Sequence, residues 1–193
     1  VLSFLKPFKR LNLSAIPMAA DTGTIGGNLS HEFIILADTG ESKIYTDKRI
    51  FDVDSSKTNL DKVSLGILRK QYEKFYSVTD EKFNKDEFEK SVAEEYRVNT
   101  KGIEVGHIFY FGDKYSKPMN CLIDNQGGKK TSVKMGSYGI GVSRLVGASI
   151  EAHYNNDVMK WPKSISPFDV VIIPNISKNN KENLSKSIRI YEE

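Results

Sequence analysis

The stretch Met135-Gly136-Ser137-Tyr138-Gly139-Ile140-Gly141-Val142-Ser143-Arg144 crowds three glycines into six residues and then changes texture. Its composition predicts a glycine-rich turn from Gly136 to Gly141. A helix follows, with Val142, Leu145, Val146 and Ile150 at helical spacing. Glycine lets the backbone approach a ligand closely. Arg144, near the helix start, brings a permanent charge and a fork of donors suited to phosphate, and a helix N-terminus adds affinity for anions. The same residues equally suit a structural turn followed by a solvated arginine, and residue type alone does not choose. The run is not a dinucleotide fingerprint, because Arg144 stands where the last glycine is required. Nor is Gly128-Lys129-Lys130-Thr131 a phosphate loop: residue 123 is Ile instead of Gly, and Lys130 replaces the required Ser or Thr.

Working back along the chain, Glu104-Val105-Gly106-His107-Ile108-Phe109-Tyr110-Phe111-Gly112 belongs to a strand running from Ile103 to Gly112. Strict alternation puts Glu104, Gly106, Ile108 and Tyr110 on one face and Val105, His107, Phe109 and Phe111 on the other. A carboxylate among so many apolar residues needs a partner if it is buried. Further back, Gly26-Gly27-Asn28-Leu29-Ser30-His31-Glu32-Phe33 leads a glycine pair into a strand from His31 to Ala37. There His31 and Phe33 point one way and Ser30 and Glu32 the other. An imidazole and an aromatic ring on one face could wall a small pocket, or simply join a core.

Outward from these segments the organisation is clear. Phe4, Leu5, Phe8 and Leu11 suggest the tail of an amphipathic helix. Residues 48–101 are strongly charged and read as two short helices, one carrying Leu68, Tyr72, Phe75 and Tyr76, the other Phe88, Val92 and Tyr96. Asn120–Ile123 and Thr131–Met135 flank Asp124-Asn125-Gln126-Gly127-Gly128, a hairpin signal. Pro162 and Pro167 mark a boundary. Beyond it, Phe168-Asp169-Val170-Val171-Ile172-Ile173-Pro174 reads as a strand buried on both faces, and a helix follows from Lys181.

Composition excludes several classes. The chain has 193 residues, 39% hydrophobic and 27% charged, which suits a globular core. A net charge of +3 permits a nucleic-acid partner without arguing for one. One cysteine, Cys121, rules out an internal disulfide and a cysteine-based zinc site. No grouping has metal-ligand spacing, so no metal ligands are assigned. No apolar run approaches the roughly 20 residues that span a bilayer, and no secretory leader is visible. The chain starts with Val, as expected of a fragment.

The ordered set Ala20-Asp21-Thr22-Gly23-x-Ile25-Gly26-Gly27-x-x-Ser30-His31-Glu32-Phe33, then Glu104-Val105-Gly106-His107-Ile108-Phe109, then Gly136-x-Tyr138-Gly139-Ile140-Gly141-Val142-x-Arg144, closely resembles bacterial prolyl-tRNA synthetases. The passage from Trp161-Pro162 through Ser166-Pro167-Phe168 resembles that family's entry into its anticodon-binding domain. The resemblance implies an α+β class II synthetase core, an antiparallel sheet flanked by helices. It divides the chain into a first part of the catalytic core (1–47), a short helical insertion (48–101), the core with motif 3 (102–165) and the first strand and helix of an α/β anticodon-binding domain (166–193).

By the same resemblance, Arg144 is the catalytic residue and contacts ATP together with Gly141. Glu104 and His107 lie by the ribose or the tRNA 3′ end, and His31, Phe33, Ser137 and Gly139 line the proline pocket. The implied reaction is ATP- and Mg²⁺-dependent activation of proline to prolyl-adenylate, then transfer to tRNA(Pro), in a cytoplasmic homodimer with no membrane partner. Motifs 1 and 2 are not found in this chain, so the chain alone is expected to be inactive. The short insertion is expected not to hydrolyse mischarged alanyl-tRNA. The competing class is a non-catalytic, synthetase-like protein that binds an amino acid or RNA.

Overall fold

The computed structural model describes residues 2–27, 29–55, 58–59, 61–175 and 182–193. Two compact units divide at Pro162. The first is mixed α+β. Helix α1 (Leu2–Arg10) precedes strands β1 (Ile16–Ala19), β2 (Leu29–Leu36) and β3 (Ser42–Asp47). Helix α2 (Lys62–Tyr72), strand β4 (Ser77–Thr79) and helix α3 (Lys85–Ser91) follow. Strand β5 (Arg97–Gly112), the hairpin β6 (Leu122–Asp124) and β7 (Lys130–Ser132), strand β8 (Met135–Ile140) and helix α4 (Val142–His153) complete the unit.

One six-stranded sheet runs β2-β1-β4-β3-β5-β8, and β5 also pairs with β2. Sixteen-residue β5 is its spine. It takes β2 antiparallel from Tyr110 down to Gly102, β3 from Gly102 to Arg97, and β8 from Gly112 to Gly106. Gly102 pairs with both Leu36 and Ser42, so the chain between β2 and β3 crosses over it. That crossing is too tight for a side chain. A Cβ on Gly40 would lie 2.3 Å from the Gly102 carbonyl, and one on Gly102 would lie 2.8 Å from the Ile35 oxygen.

Three apolar clusters hold the sheet. Leu5, Phe8 and Leu13 bury against Phe33, Ile35, Val105, Ile108 and Ala148. Phe33 is fully buried, its ring 5.1 Å from Phe4 and 5.8 Å from Phe8. Ile16, Met18, Ile34, Ile44 and Ile50 form a second cluster. Tyr45, Phe88 and Val92 form the third, where Tyr45 stacks on Phe83 at 3.5 Å. Helix α2 starts on Asp61, whose carboxylate accepts from the Val63 and Ser64 amides, and α3 on Asn84, whose side chain accepts from the Glu87 amide. Buried Asp47 caps the turn after β3 and takes the Arg49 guanidinium. Burial opposes its charged form, but the Arg49 donors outweigh it and hold the carboxyl below its ordinary range.

The structure corrects four sequence expectations. Residues 136–140 form part of strand β8 instead of a turn, because their amides and carbonyls find the free edge of β5. The segment 48–101 is not only helical: it supplies β4 and the first residues of β5 to the sheet. On α4 the inward residues are Leu145, Ala148 and Ser149, while Val142 and Val146 are exposed. In the second unit Phe168–Pro174 is not a strand. Phe168, Val170, Val171 and Ile173 are exposed, and no strand among that unit's described residues offers them backbone partners. Helix α5 (Glu182–Glu192) forms as expected; Lys181 lies outside the described residues. No described helix is long and apolar enough to cross a membrane.

Two glycines predict opposite outcomes. Gly40→Ala should destabilise the chain by about 1–3 kcal/mol or more, since backbone cannot yield as a flexible side chain would. Gly66→Ala, in the middle of α2 with nothing within 4 Å of the added Cβ, should stabilise it by roughly 0.5–1 kcal/mol. Urea unfolding of the two variants checks both signs.

Candidate active site

The polar cluster of the sheet lies where β2, β5 and β8 run side by side. Ser30 pairs with Phe109 and Glu32 with His107, while Ser137 and Gly139 pair with the same Phe109 and His107 from the other side. Directly paired residues share a face of a sheet. Ser30, Glu32, His107, Phe109, Ser137 and Gly139 therefore share one face, and His31, Ile108 and Tyr138 share the other.

Glu104 joins the first face because β5 is irregular. Phe33 pairs with Gly106 and Ile34 with Glu104, so Val105 is an extra residue with no partner on β2. This is a β-bulge. Val105 turns into the core beside Phe33 and Ile108, fully buried. Glu104 turns the other way and reaches His107. The alternation read from the sequence, with Glu104 opposite to His107, is overturned by that one residue.

A chain of contacts results. Ser30 Oγ lies 2.6 Å from His107 Nε2, and His107 Nδ1 lies 3.1 Å from Glu104 Oε1. Glu32 Oε1 is 3.9 Å from the same Nδ1. Arg144, in the first turn of α4, donates from Nη1 to the Glu104 carbonyl at 3.0 Å and to its Oε2 at 3.3 Å. Its Nη2 lies 3.5 Å from Glu41 Oε1. The imidazole stacks on Phe109 at 4.0 Å. The strand-to-helix joint is fixed by the same bulge, because the Gly141 amide donates to the Val105 carbonyl at 3.0 Å. Gly141 also makes room for the arginine: a Cβ there would lie 3.1 Å from Arg144 Cβ.

Burial pushes the Glu32 carboxyl up to about 7, aided by the negative charge of Glu104 and opposed by Arg144. His31 is shifted the other way, chiefly because burial disfavours its charged form. It borders a separate cavity of ≈ 800 Å³ on the opposite face, lined by Tyr72, Phe75, Ile108, Tyr110 and Tyr138 among others.

The four residues expected to line one pocket are thus split. Ser137 and Gly139 stand on the polar face, His31 on the cavity side, and Phe33 is packed inside the core. Glu104, His107, Arg144 and Gly141 come together. Ser30 and Glu32, which the sequence places only on the face opposite to His31 and Phe33, join this polar cluster. The glycine pair Gly26–Gly27 approaches protein: it abuts Lys114, Tyr110 and Phe111, and the Ile25 carbonyl accepts from Lys114 Nζ and Tyr115 Oη. His153 closes α4, its Nδ1 2.7 Å from the Ser149 carbonyl.

No family model matches the chain. It is 67% identical over 98% of its length to the proline–tRNA ligase of Pelagibacter ubique, covering 43% of that protein. It is 50% identical over 99% of its length to the proline–tRNA ligase of Bartonella quintana, again 43% of that protein. It is 45% identical over its whole length to the proline–tRNA ligase of Nitrobacter winogradskyi, covering 44% of it. Along nearly its whole length the chain is similar to a stretch of these bacterial proline–tRNA ligases, and it spans less than half their length.

The raised Glu32 carboxyl makes stability depend on pH. Between its ordinary value of 4.5 and about 7, the folded chain holds a proton that the unfolded chain has lost, so stability falls as pH rises through that window. Glu32→Gln removes the effect. At pH 8 it should be more stable than the parent by roughly 1–3 kcal/mol, with the gap closing below pH ~4.5. A gap that does not change with pH in chemical denaturation contradicts the assignment.

Proposed function

We propose that this chain carries part of the active site of a proline–tRNA ligase, which activates proline with ATP and transfers it to tRNA(Pro). The observation that supports this best is the placement of Arg144. In a chain with these relatives, a guanidinium sits at a helix N-terminus, half exposed and held by Glu104 beside a glycine-rich strand. That arrangement suits a nucleotide phosphate, since the fork of donors and the helix start both favour anions.

In the first step a proline carboxylate oxygen attacks the α-phosphorus of ATP, and the bond to the bridging oxygen breaks as pyrophosphate leaves. In the second, the terminal tRNA hydroxyl attacks the carbonyl of prolyl-adenylate, AMP departs, and the hydroxyl proton passes to its phosphate. Negative charge spreads over phosphate oxygens in both steps, so fixed positive charge matters more than a strong base. Arg144 supplies it near the adenine and γ-phosphate. Gly141 serves the nucleotide by leaving room for Arg144 at the helix start, and Glu104 and His107 lie towards the ribose or the tRNA 3′ end. Ser137 and Gly139 form the floor of the proline pocket, with Phe109, paired opposite Ser137, as its apolar wall. His31 and Phe33 are not part of it.

Mg²⁺ would neutralise phosphate charge when bound. Glu32, Glu104 and His107 each place a ligand atom within 4.8 Å of the others. The two carboxylates fit a hard cation, and the imidazole does not. Glu32 and Glu104 are therefore the residues to hold it. The segment 48–101 is read as a short insertion without alanyl-tRNA hydrolysis, and 166–193 as the start of an anticodon-binding domain. The enzyme is read as a cytoplasmic homodimer, with this chain inactive alone.

The complete protein should catalyse ATP–pyrophosphate exchange driven by proline, and Arg144→Ala should lower that exchange by about 100-fold. Exchange driven by another amino acid, or an Arg144→Ala variant at the parent rate, contradicts the proposal.

A further inference from the structure

We infer that Ser30 and His107 are positioning residues for Arg144: the Ser30 hydroxyl holds the imidazole of His107, His107 holds the carboxylate of Glu104, and Glu104 holds the guanidinium. The inference rests on the proposed role of Arg144 at ATP and adds two residues to it.

Each nitrogen of the His107 ring has one partner. An ionised carboxylate only accepts, so the His107 nitrogen facing Glu104, Nδ1, carries the hydrogen. The other ring nitrogen, Nε2, faces Ser30 Oγ at 2.6 Å. Both ring nitrogens are thereby occupied, and the ring plane is further fixed by stacking on Phe109. With one carboxylate oxygen, Oε1, taken by His107, the other, Oε2, faces Arg144 Nη1 at 3.3 Å. The order Ser, His, Glu is that of a nucleophilic triad. Ser30 cannot serve as one, because the residue is 3% exposed and a carbonyl carbon has no approach to its oxygen. What remains is orientation.

Orientation matters here because Arg144 has a second carboxylate within reach. Glu41 Oε1 lies 3.5 Å from Nη2, on an exposed side chain. If Glu104 is released from His107, its carboxylate rotates, and the guanidinium keeps only the Glu104 carbonyl and is free to turn towards Glu41. ATP must then pay the cost of ordering it, which raises the concentration needed for binding.

The test uses the complete enzyme and a pair of variants with the same shape. Ser30→Thr and Ser30→Val both add one methyl-sized group at a buried position, but only threonine keeps the hydroxyl. In proline-driven ATP–pyrophosphate exchange, Ser30→Val should raise KM for ATP about 3- to 10-fold over Ser30→Thr, with a smaller change in kcat. Equal KM values for the two variants, or a loss confined to kcat, overturn the inference, since a purely structural defect lowers the active fraction without moving KM. If either variant does not fold, Ser30→Ala is compared in the parent and in a His107→Gln background. The relay predicts that the alanine substitution adds nothing once His107 is gone; an additive rise in KM overturns it. A parent enzyme without proline-driven exchange removes the proposed function, and the relay with it, whereas a parent with exchange and indifferent variants removes the relay alone.

Discussion

Where β2 and β5 pair, β5 carries one residue more than its partner. Val105 has no counterpart between Phe33 and Ile34, and the strand must bulge to pass it. Two consequences follow within the same turn of chain. The side chain of Val105 drops into the core, and Glu104 is delivered to the face that holds His107, Ser30 and Glu32. The backbone is used as well: the Val105 carbonyl takes the Gly141 amide, and the Glu104 carbonyl takes Arg144. Bulge, strand end and helix start are thus one mechanical joint, and the arginine is set by the geometry of a strand 40 residues earlier.

The sheet keeps two chemistries apart. On one face, Phe33 and Ile108 pack with α1 and α4 into an apolar cluster. On the other, two carboxylates, an imidazole and a guanidinium share a small area. Burial is the main reason the Glu32 carboxyl is raised, and the nearby negative charge of Glu104 adds to it. Arg144 offsets part of it.

Much of this was legible in the residues. Alternation correctly placed Ser30 and Glu32 opposite to His31 and Phe33, because β2 is regular from Leu29 to Phe33. It failed at Glu104, since periodicity assumes that every residue advances the pleat, and a bulge inserts one that does not. The run Gly136–Ile140 looked like a turn because its glycines lack β-propensity. It is a strand because β5 offers it an edge, a long-range fact that no local window contains. Strands β1, β3 and β4 escaped for the same reason: each is short, and each exists through its neighbours. The apolar run Phe168–Pro174 shows the converse. Strand-like composition does not make a strand where the described residues of that unit offer it no partner. Phe33 was drawn towards the pocket by its sequence neighbours, whereas helix α1 covers it.

The most direct test of the account is a crystal structure of the complete protein with a non-hydrolysable prolyl-adenylate analogue. The analogue should lie on the face of Ser30, Glu32, His107, Ser137 and Gly139, with its phosphate towards Arg144 and Val105 still bulged into the core. An analogue seated instead in the cavity beside His31 and Tyr138, on the opposite face, would contradict it.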